Sequence, residues 1–271
     1  MSIVQDMVRS GLLELQKRFP VFPSAFCLVT GAPRSGTGAM ASWLGHQPRV
    51  KGFSESKVLF IAHQLRQSFR KWERFPKDLA IRHVREFVLS CYAETGVYLG
   101  SRMLLDKEPL DPLSLSSDQY DAFIASVEEI FPSVRFVVMV RNPESMVSSV
   151  VNRNWGYSIQ GKDPAARDVK DGINIWLKAN RLVASISQKD NVHICEFEDL
   201  VSKPHEESRK IAQFLSLRHW KPFRPRETSE ITLEPAQRRQ VWEETAECRR
   251  KLQETGIHYT PKSVSTPRTD E

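Results

Sequence analysis

Arg34 lies inside a glycine-rich loop, GAPRSGTG at residues 31–38, the first of four places where residue types and spacing can do chemistry. Glycines let a backbone close around an oxyanion with its N–H groups pointing inward. A helix N-terminus just beyond adds roughly half a positive charge, so the loop reads as a site for a phosphate or a group shaped like one. The spacing stops short of a Walker A loop: Thr37 stands where that motif carries its Lys, and Gly38 where a Ser or Thr would hold magnesium. Arg34 instead supplies a cation able to reach a terminal anionic group or the bridging oxygen behind it. In the second place Arg141 ends an apolar run where Walker B logic puts a metal-binding Asp, and Ser149 and Arg153 follow one helical turn apart. Those three can converge on a second anion, and two anion sites at the ends of two strands ask for a ligand with phosphates on both sides of a ribose. The third place is Asp106, Lys107 and Glu108, directly after a strand, where an open α/β sheet makes its ligand contacts. The fourth is Glu55, which taken alone reads as an acidic residue complementing a helix dipole.

The elements that must position these residues follow from periodicity. Residues 26–29 (FCLV) predict a buried strand feeding the loop, and residues 37–45 a helix leaving it. A short strand over 49–53 leads to a helix opened by Ser54, Glu55 and Ser56, and helical patterning continues to about residue 94 with a break around Phe75, Pro76 and Lys77. Strands are predicted over 98–105, 134–140 (VRFVVMV) and 192–197, and helices over 117–131, 143–153, 168–187, 204–215 and 235–254. Asn142 caps the helix whose first residue is Pro143. Residues 155–167 read as a mobile loop, a lid or an acceptor-binding segment. The expectation is an α/β fold in three layers, a central and mainly parallel sheet flanked by helices. Residues 1–24 would be an amphipathic helix packed on it, 25–260 a single domain and 261–271 a disordered tail.

Composition narrows the function. Charged residues at 27% and apolar ones at 40% describe an ordinary soluble globule, and a net charge of +6 favours an anionic ligand. The basic residues are scattered rather than gathered into an aromatic-interleaved stripe, so nucleic acid is not implied. The four cysteines are far apart and lack metal-ligand spacing, which predicts reduced thiols, no metal and a cytoplasmic location. No run is long enough to span a bilayer. The seven histidines have no nucleophile partner and read as structural or surface residues.

The loop PRSGT, the strand exit KEP, the segment VVMVRNPESMVSSVVNR and the stretch VHICEFEDLVSKP together resemble the sulfotransferases that use 3′-phosphoadenosine 5′-phosphosulfate, PAPS. The likeness runs over residues 26–235. It is closer to the protein-tyrosine, Golgi-carbohydrate and bacterial branch than to the cytosolic aryl branch, whose loop carries Lys in place of Arg34. It implies the three-layer P-loop fold, PAPS as donor with PAP as product, and a hydroxyl-bearing acceptor. By this resemblance Arg34, Ser35, Gly36, Thr37 and Gly38 hold the 5′-phosphosulfate, and Arg141, Ser149 and Arg153 the 3′-phosphate. Glu55 stands at the spacing from Arg34 where the protein-tyrosine members carry their general base. Lys107 matches a Lys beside the transferring group, and Thr228 and Ser229 fall where similar enzymes offer hydroxyls to the cofactor. Two positions depart from the pattern: Gly38 replaces a usual Thr or Ser, and Phe197 a Tyr that touches the cofactor. The acceptor stays open between a sugar, a small-molecule alcohol or phenol and a tyrosyl peptide, and the oligomeric state is not legible. A P-loop nucleotide kinase and a non-catalytic PAPS-binding module are the competing readings.

Overall fold

β1 (Ala25–Gly31) is the middle strand of a five-stranded sheet. The computed structural model describes residues 23, 25–72, 74–95, 101–110, 117–152, 168–225 and 233–259. The other strands are β2 (Val50–Gly52), β3 (Met103–Lys107), β4 (Val134–Val140) and β5 (Val192–Glu196), in the order β2-β3-β1-β4-β5. Every pair is parallel, with Leu28 of β1 in register with Asp106 of β3 and Phe136 of β4.

Alternate residues of the central strands feed two cores, because successive side chains of a strand point to opposite faces. Phe26, Leu28, Leu104, Phe136 and Val138 enter the larger core, and Cys27, Val29, Leu105, Val137 and Met139 the smaller. Helices cover both faces, which is why these strands read as unbroken apolar runs. The smaller core is closed by α1 (Thr37–Gly45) and α8 (Pro204–Phe214), through Met40, Leu44 and Ile211. The larger is closed by α2 (Val58–Arg70), α3 (Lys77–Thr95), α4 (Ser117–Ile130), α5 (Pro143–Asn152) and α6 (Val169–Ile186). After β5 comes the short α7 (Phe197–Ser202), and α9 (Pro235–Glu244) and α10 (Ala246–Gln253) complete the described chain.

The expected architecture is present, with three differences among the helices. The helix expected to open at Ser54 begins at Val58, since Phe53 and Glu55 donate backbone N–H groups to Leu105 and Lys107 at 2.7 and 2.8 Å and extend the pairing with β3. A helix unforeseen in the sequence, α7, starts directly at the end of β5, with Glu198 and Asp199 in its first turn. The expected helix over 235–254 is two helices meeting at Thr245, whose hydroxyl bonds back to Val241 O at 2.7 Å. The expectations for residues 1–22, for the loop 155–167 and for the tail 261–271 lie outside the described residues.

Candidate active site

The carboxyl ends of β1, β3 and β4 lie side by side and bring three of the four chemical clusters to one edge of the sheet. β1 ends on Gly31 at φ 137°, where a Cβ would stand 2.1 Å from the carbonyl oxygen of Met139 on β4. Glycine is therefore what allows the loop to leave the sheet this close to its neighbour. The loop folds on itself through Ser35, whose N–H and hydroxyl both donate to Ala32 O at 3.1 and 2.6 Å. Arg34 at φ 66° and Gly36 at φ 96° are left-handed while Ser35 between them is not, an alternation of the kind in which successive amides form an anion-binding concavity. Gly36 caps α1 without a side-chain acceptor, and the first N–H groups of a helix have no intrahelical partner. Thr37 is buried while Gly38 is exposed, and a Cβ on Gly38 would meet nothing within 4 Å.

The loop is tied to the end of β4 by Arg34. Its Nε donates to Ser149 Oγ on α5 at 3.2 Å, and its carbonyl accepts from Arg141 Nη1 at 2.9 Å. The sequence expectation kept the Arg141 and Ser149 site separate from the glycine loop; in the fold Arg34 spans the two. Asn142 caps α5 as expected, its Oδ1 accepting from Glu144 N at 3.0 Å. The Phe197 ring lies under the Arg141 guanidinium at 4.7 Å and against Gly36, whose Cβ would fall 2.3 Å from the ring. Glu198 accepts from Asn142 N at 3.2 Å and approaches Arg141 Nε at 4.0 Å. Phe197 and Glu198, the first residues of α7, thus set the face on which Arg141 rests. The departure at Phe197 therefore carries a packing role.

Glu55 meets Lys107 across the β2 and β3 connection, Nζ to Oε1 at 2.5 Å. It sits in a left-handed turn at φ 51°, ahead of α2, so it does not complement a helix dipole as its sequence position suggests. Asp106 and Glu108, on either side of Lys107, are 0% and 1% exposed. Asp106 accepts from Ser56 Oγ at 2.5 Å, Tyr92 OH at 2.7 Å and Lys107 N at 2.8 Å. Burial raises its pKa against the pull of those hydrogen bonds. Glu108 accepts from Lys57 N at 2.7 Å and Lys57 Nζ at 3.1 Å. Burial, reinforced by the charge of Asp106, pushes its carboxyl up to about 7 despite the neighbouring ammonium. Arg153, Thr228 and Ser229 lie outside the described residues. Sequence reasoning missed Ser56, Tyr92 and Glu198. Tyr92 sits within the apolar periodicity of α3, and nothing local marks it.

Among the described residues no His, Cys, Asp and Glu group could hold a metal ion, and no helix is long and apolar enough to cross a membrane. A site that gathers cations on a glycine loop and on two neighbouring strand ends is suited to an elongated anion with charge at both ends, handled by side chains and amides.

The sequence matches the sulfotransferase family over residues 27–222. It is 27% identical over 205 residues to protein-tyrosine sulfotransferase A of Caenorhabditis elegans, covering 72% of this chain and 50% of that protein. It is also 27% identical over 201 residues to the protein-tyrosine sulfotransferase of Drosophila melanogaster, covering 70% and 37%. The chain thus spans half or less of the length of these two relatives. Among solved structures it is similar to the sulfotransferase domain from the curacin biosynthetic pathway, with a TM-score of 0.56 at 15% identity over 88% of this chain and 99% of that one. A sulfotransferase from Alicyclobacillus acidocaldarius gives a TM-score of 0.56 at 16% identity over 86% and 95%. At such identities the structural likeness speaks for the fold, and the sequence match speaks for descent. With the glycine loop, β3, β4 and α7 all inside the matched span, the chain belongs to the sulfotransferase family.

Proposed function

We propose that this chain transfers a sulfuryl group from PAPS to an acceptor hydroxyl, with the tyrosyl side chain of a protein first among the acceptor classes. The observation that carries the reading is the position of Arg34, inside the glycine loop and joined to both Ser149 and Arg141. That junction supports one ligand lying across both anion subsites. The donor set fits such a ligand: loop amides, Arg34 and Lys107 toward the phosphosulfate, Arg141 and Ser149 toward the 3′-phosphate. Arg153, Thr228 and Ser229 belong to the same proposal. The preference for tyrosyl acceptors rests on the relatives' names.

PAPS, when bound, supplies an electrophilic sulfur and a phosphate leaving group. Glu55 takes the proton of the acceptor hydroxyl as its oxygen bonds to sulfur, and the bond from sulfur to the 5′-phosphate oxygen breaks with its electron pair on that oxygen. A positioned base typically contributes ~10²- to 10⁴-fold. Lys107 orients Glu55 through their 2.5 Å contact and, with Arg34, neutralises charge developing on the sulfuryl oxygens and the leaving phosphate. A sulfuryl group carries less charge than a γ-phosphate, so these cations can serve in place of a metal.

The test is a thermal-shift comparison of PAP, ADP and ATP with magnesium, followed by PAP release from PAPS over tyrosyl-peptide, phenol and sugar acceptors. A ligand at ~100 times its Kd stabilises by about 2.7 kcal/mol, and PAP alone should reach this. Equal shifts with PAP and ADP, unchanged in the Arg141→Ala and Ser149→Ala double variant, would overturn the donor. ATP preference would favour a kinase, and PAP binding without turnover a non-catalytic module.

A further inference from the structure

Asp106, Lys107 and Glu108 at the end of β3 each take hold of one residue of the turn that precedes α2. Asp106 accepts the Ser56 hydroxyl, Lys107 pairs with Glu55, and Glu108 accepts both the backbone N–H and the ammonium of Lys57. The turn needs holding, because Glu55 at φ 51° and Lys57 at φ 60° are both left-handed, a conformation unfavourable to L-residues with side chains. The far side is anchored as well. Thr30 Oγ1 donates to Glu108 O at 2.7 Å and Glu108 N to Val29 O at 3.1 Å, so the clamp rests on the end of β1 beside the glycine loop. Two carboxylates two residues apart in a nearly sealed site oppose stability unless donors engage them, and here each faces two or more. Their burial also keeps them from any acceptor hydroxyl, which leaves Glu55 as the accessible carboxylate of the three.

We propose that Asp106 and Glu108 are positioning residues that fix the 54–57 turn against β3, so that Glu55 is presented to the acceptor on Lys107, Asp106 acting through Ser56 and Glu108 through Lys57. The proposal rests on the reading of Glu55 as general base, and its test separates the two. Ser56 is partly exposed, so Ser56→Ala leaves the core intact even where Glu108→Ala fails to fold. Amide exchange at Glu55 and Lys57, measured without ligand, should accelerate roughly 10-fold or more in both variants while exchange in β1 and β4 is unchanged. Turnover per PAP-titrated site, read over the tyrosyl-peptide, phenol and sugar panel, should fall roughly 10- to 100-fold in Ser56→Ala with the Kd for PAP unchanged. Ser56→Thr, which keeps the hydroxyl, should stay within about 3-fold of wild type. In a Glu55→Ala background Ser56→Ala should remove less than about 2-fold more, because the group it positions is gone. Wild-type exchange in Ser56→Ala overturns the clamp, and so does full turnover despite accelerated exchange. Full turnover in Glu55→Ala overturns the base assignment instead, leaving the clamp to be judged by exchange.

Discussion

Replacing Gly36 with alanine should break the loop for two separable reasons, and a double-mutant cycle can weigh them. The backbone at φ 96° is left-handed, which for a residue with a Cβ is unfavourable by roughly 1–2 kcal/mol. The new methyl would also stand 2.3 Å from Cδ2 and 2.8 Å from Cε2 of Phe197, well inside the separation of about 3.5 Å at which carbon atoms attract. The ring, which also carries the Arg141 guanidinium at 4.7 Å, must therefore retreat by more than an ångström, and overpacking of that kind is destabilising by about 1–3 kcal/mol. Gly36→Ala should then lower the unfolding free energy by roughly 2–5 kcal/mol in urea titrations with an unchanged m-value. With Phe197→Ala already in place the steric part disappears, and the same substitution should cost only the roughly 1–2 kcal/mol of the backbone. An equal cost in both backgrounds would refute the claim that the ring imposes glycine at position 36. A loss below about 0.5 kcal/mol in the wild-type background would refute the whole calculation.

Three further outcomes are expected. The carboxyl of Glu108 is raised from 4.5 to about 7, so it favours the fold while protonated, below about pH 4.5, and that contribution is lost as pH rises through 7. Between about pH 5 and pH 8 wild type should therefore lose up to about 3 kcal/mol of stability relative to Glu108→Gln, and parallel profiles in urea melts would contradict this. Gly38→Ser should be accommodated, since its Cβ enters open space and Ser is the better helix former by roughly 0.5 kcal/mol. If its hydroxyl reaches the ligand it should tighten PAP about 5-fold by calorimetry, the equivalent of about 1 kcal/mol for one hydrogen bond; looser binding would place the ligand elsewhere. Glu144 is buried and binds Arg238 Nε at 2.6 Å and Trp242 Nε1 at 3.1 Å, joining α5 to α9. Glu144→Ala should cost about 1.5–3 kcal/mol and speed proteolysis within α9 and α10, and unchanged cleavage would show that the helices are held by other contacts.

Local signals were enough for the frame of this molecule. VRFVVMV is β4 from its first residue to its last, the glycine loop joins a buried strand to a helix, and Asn142 with Pro143 opens α5 as their chemistry dictates. Where the reading failed, contacts between distant parts of the chain decide the outcome. Ser54, Glu55 and Ser56 look like a helix start, but Asp106, fifty residues away, takes the Ser56 hydroxyl and the helix waits until Val58. The bond from Arg34 to Ser149 crosses 115 residues, and no spacing rule could show that one arginine ties the glycine loop to α5. β3 runs through Asp106 and Lys107, which sequence polarity had placed beyond its end, because those side chains find donors and an ion pair within the fold. The start of α7 was legible in principle: acidic residues at 198 and 199 and Pro204 after its end are ordinary helix boundary signals.

The order of the strands also bears on how the molecule is made. β1 precedes the other described strands in the chain, yet both of its partners come later, β3 ending at Lys107 and β4 at Val140. A polypeptide emerging from the ribosome therefore presents Phe26, Leu28 and Val29 with two bare edges until β3 has followed, and with one bare edge until β4 has. Distant parallel pairing of this kind is slow, and a nascent chain stalled before residue 140 is the species most exposed to aggregation and most in need of a chaperone.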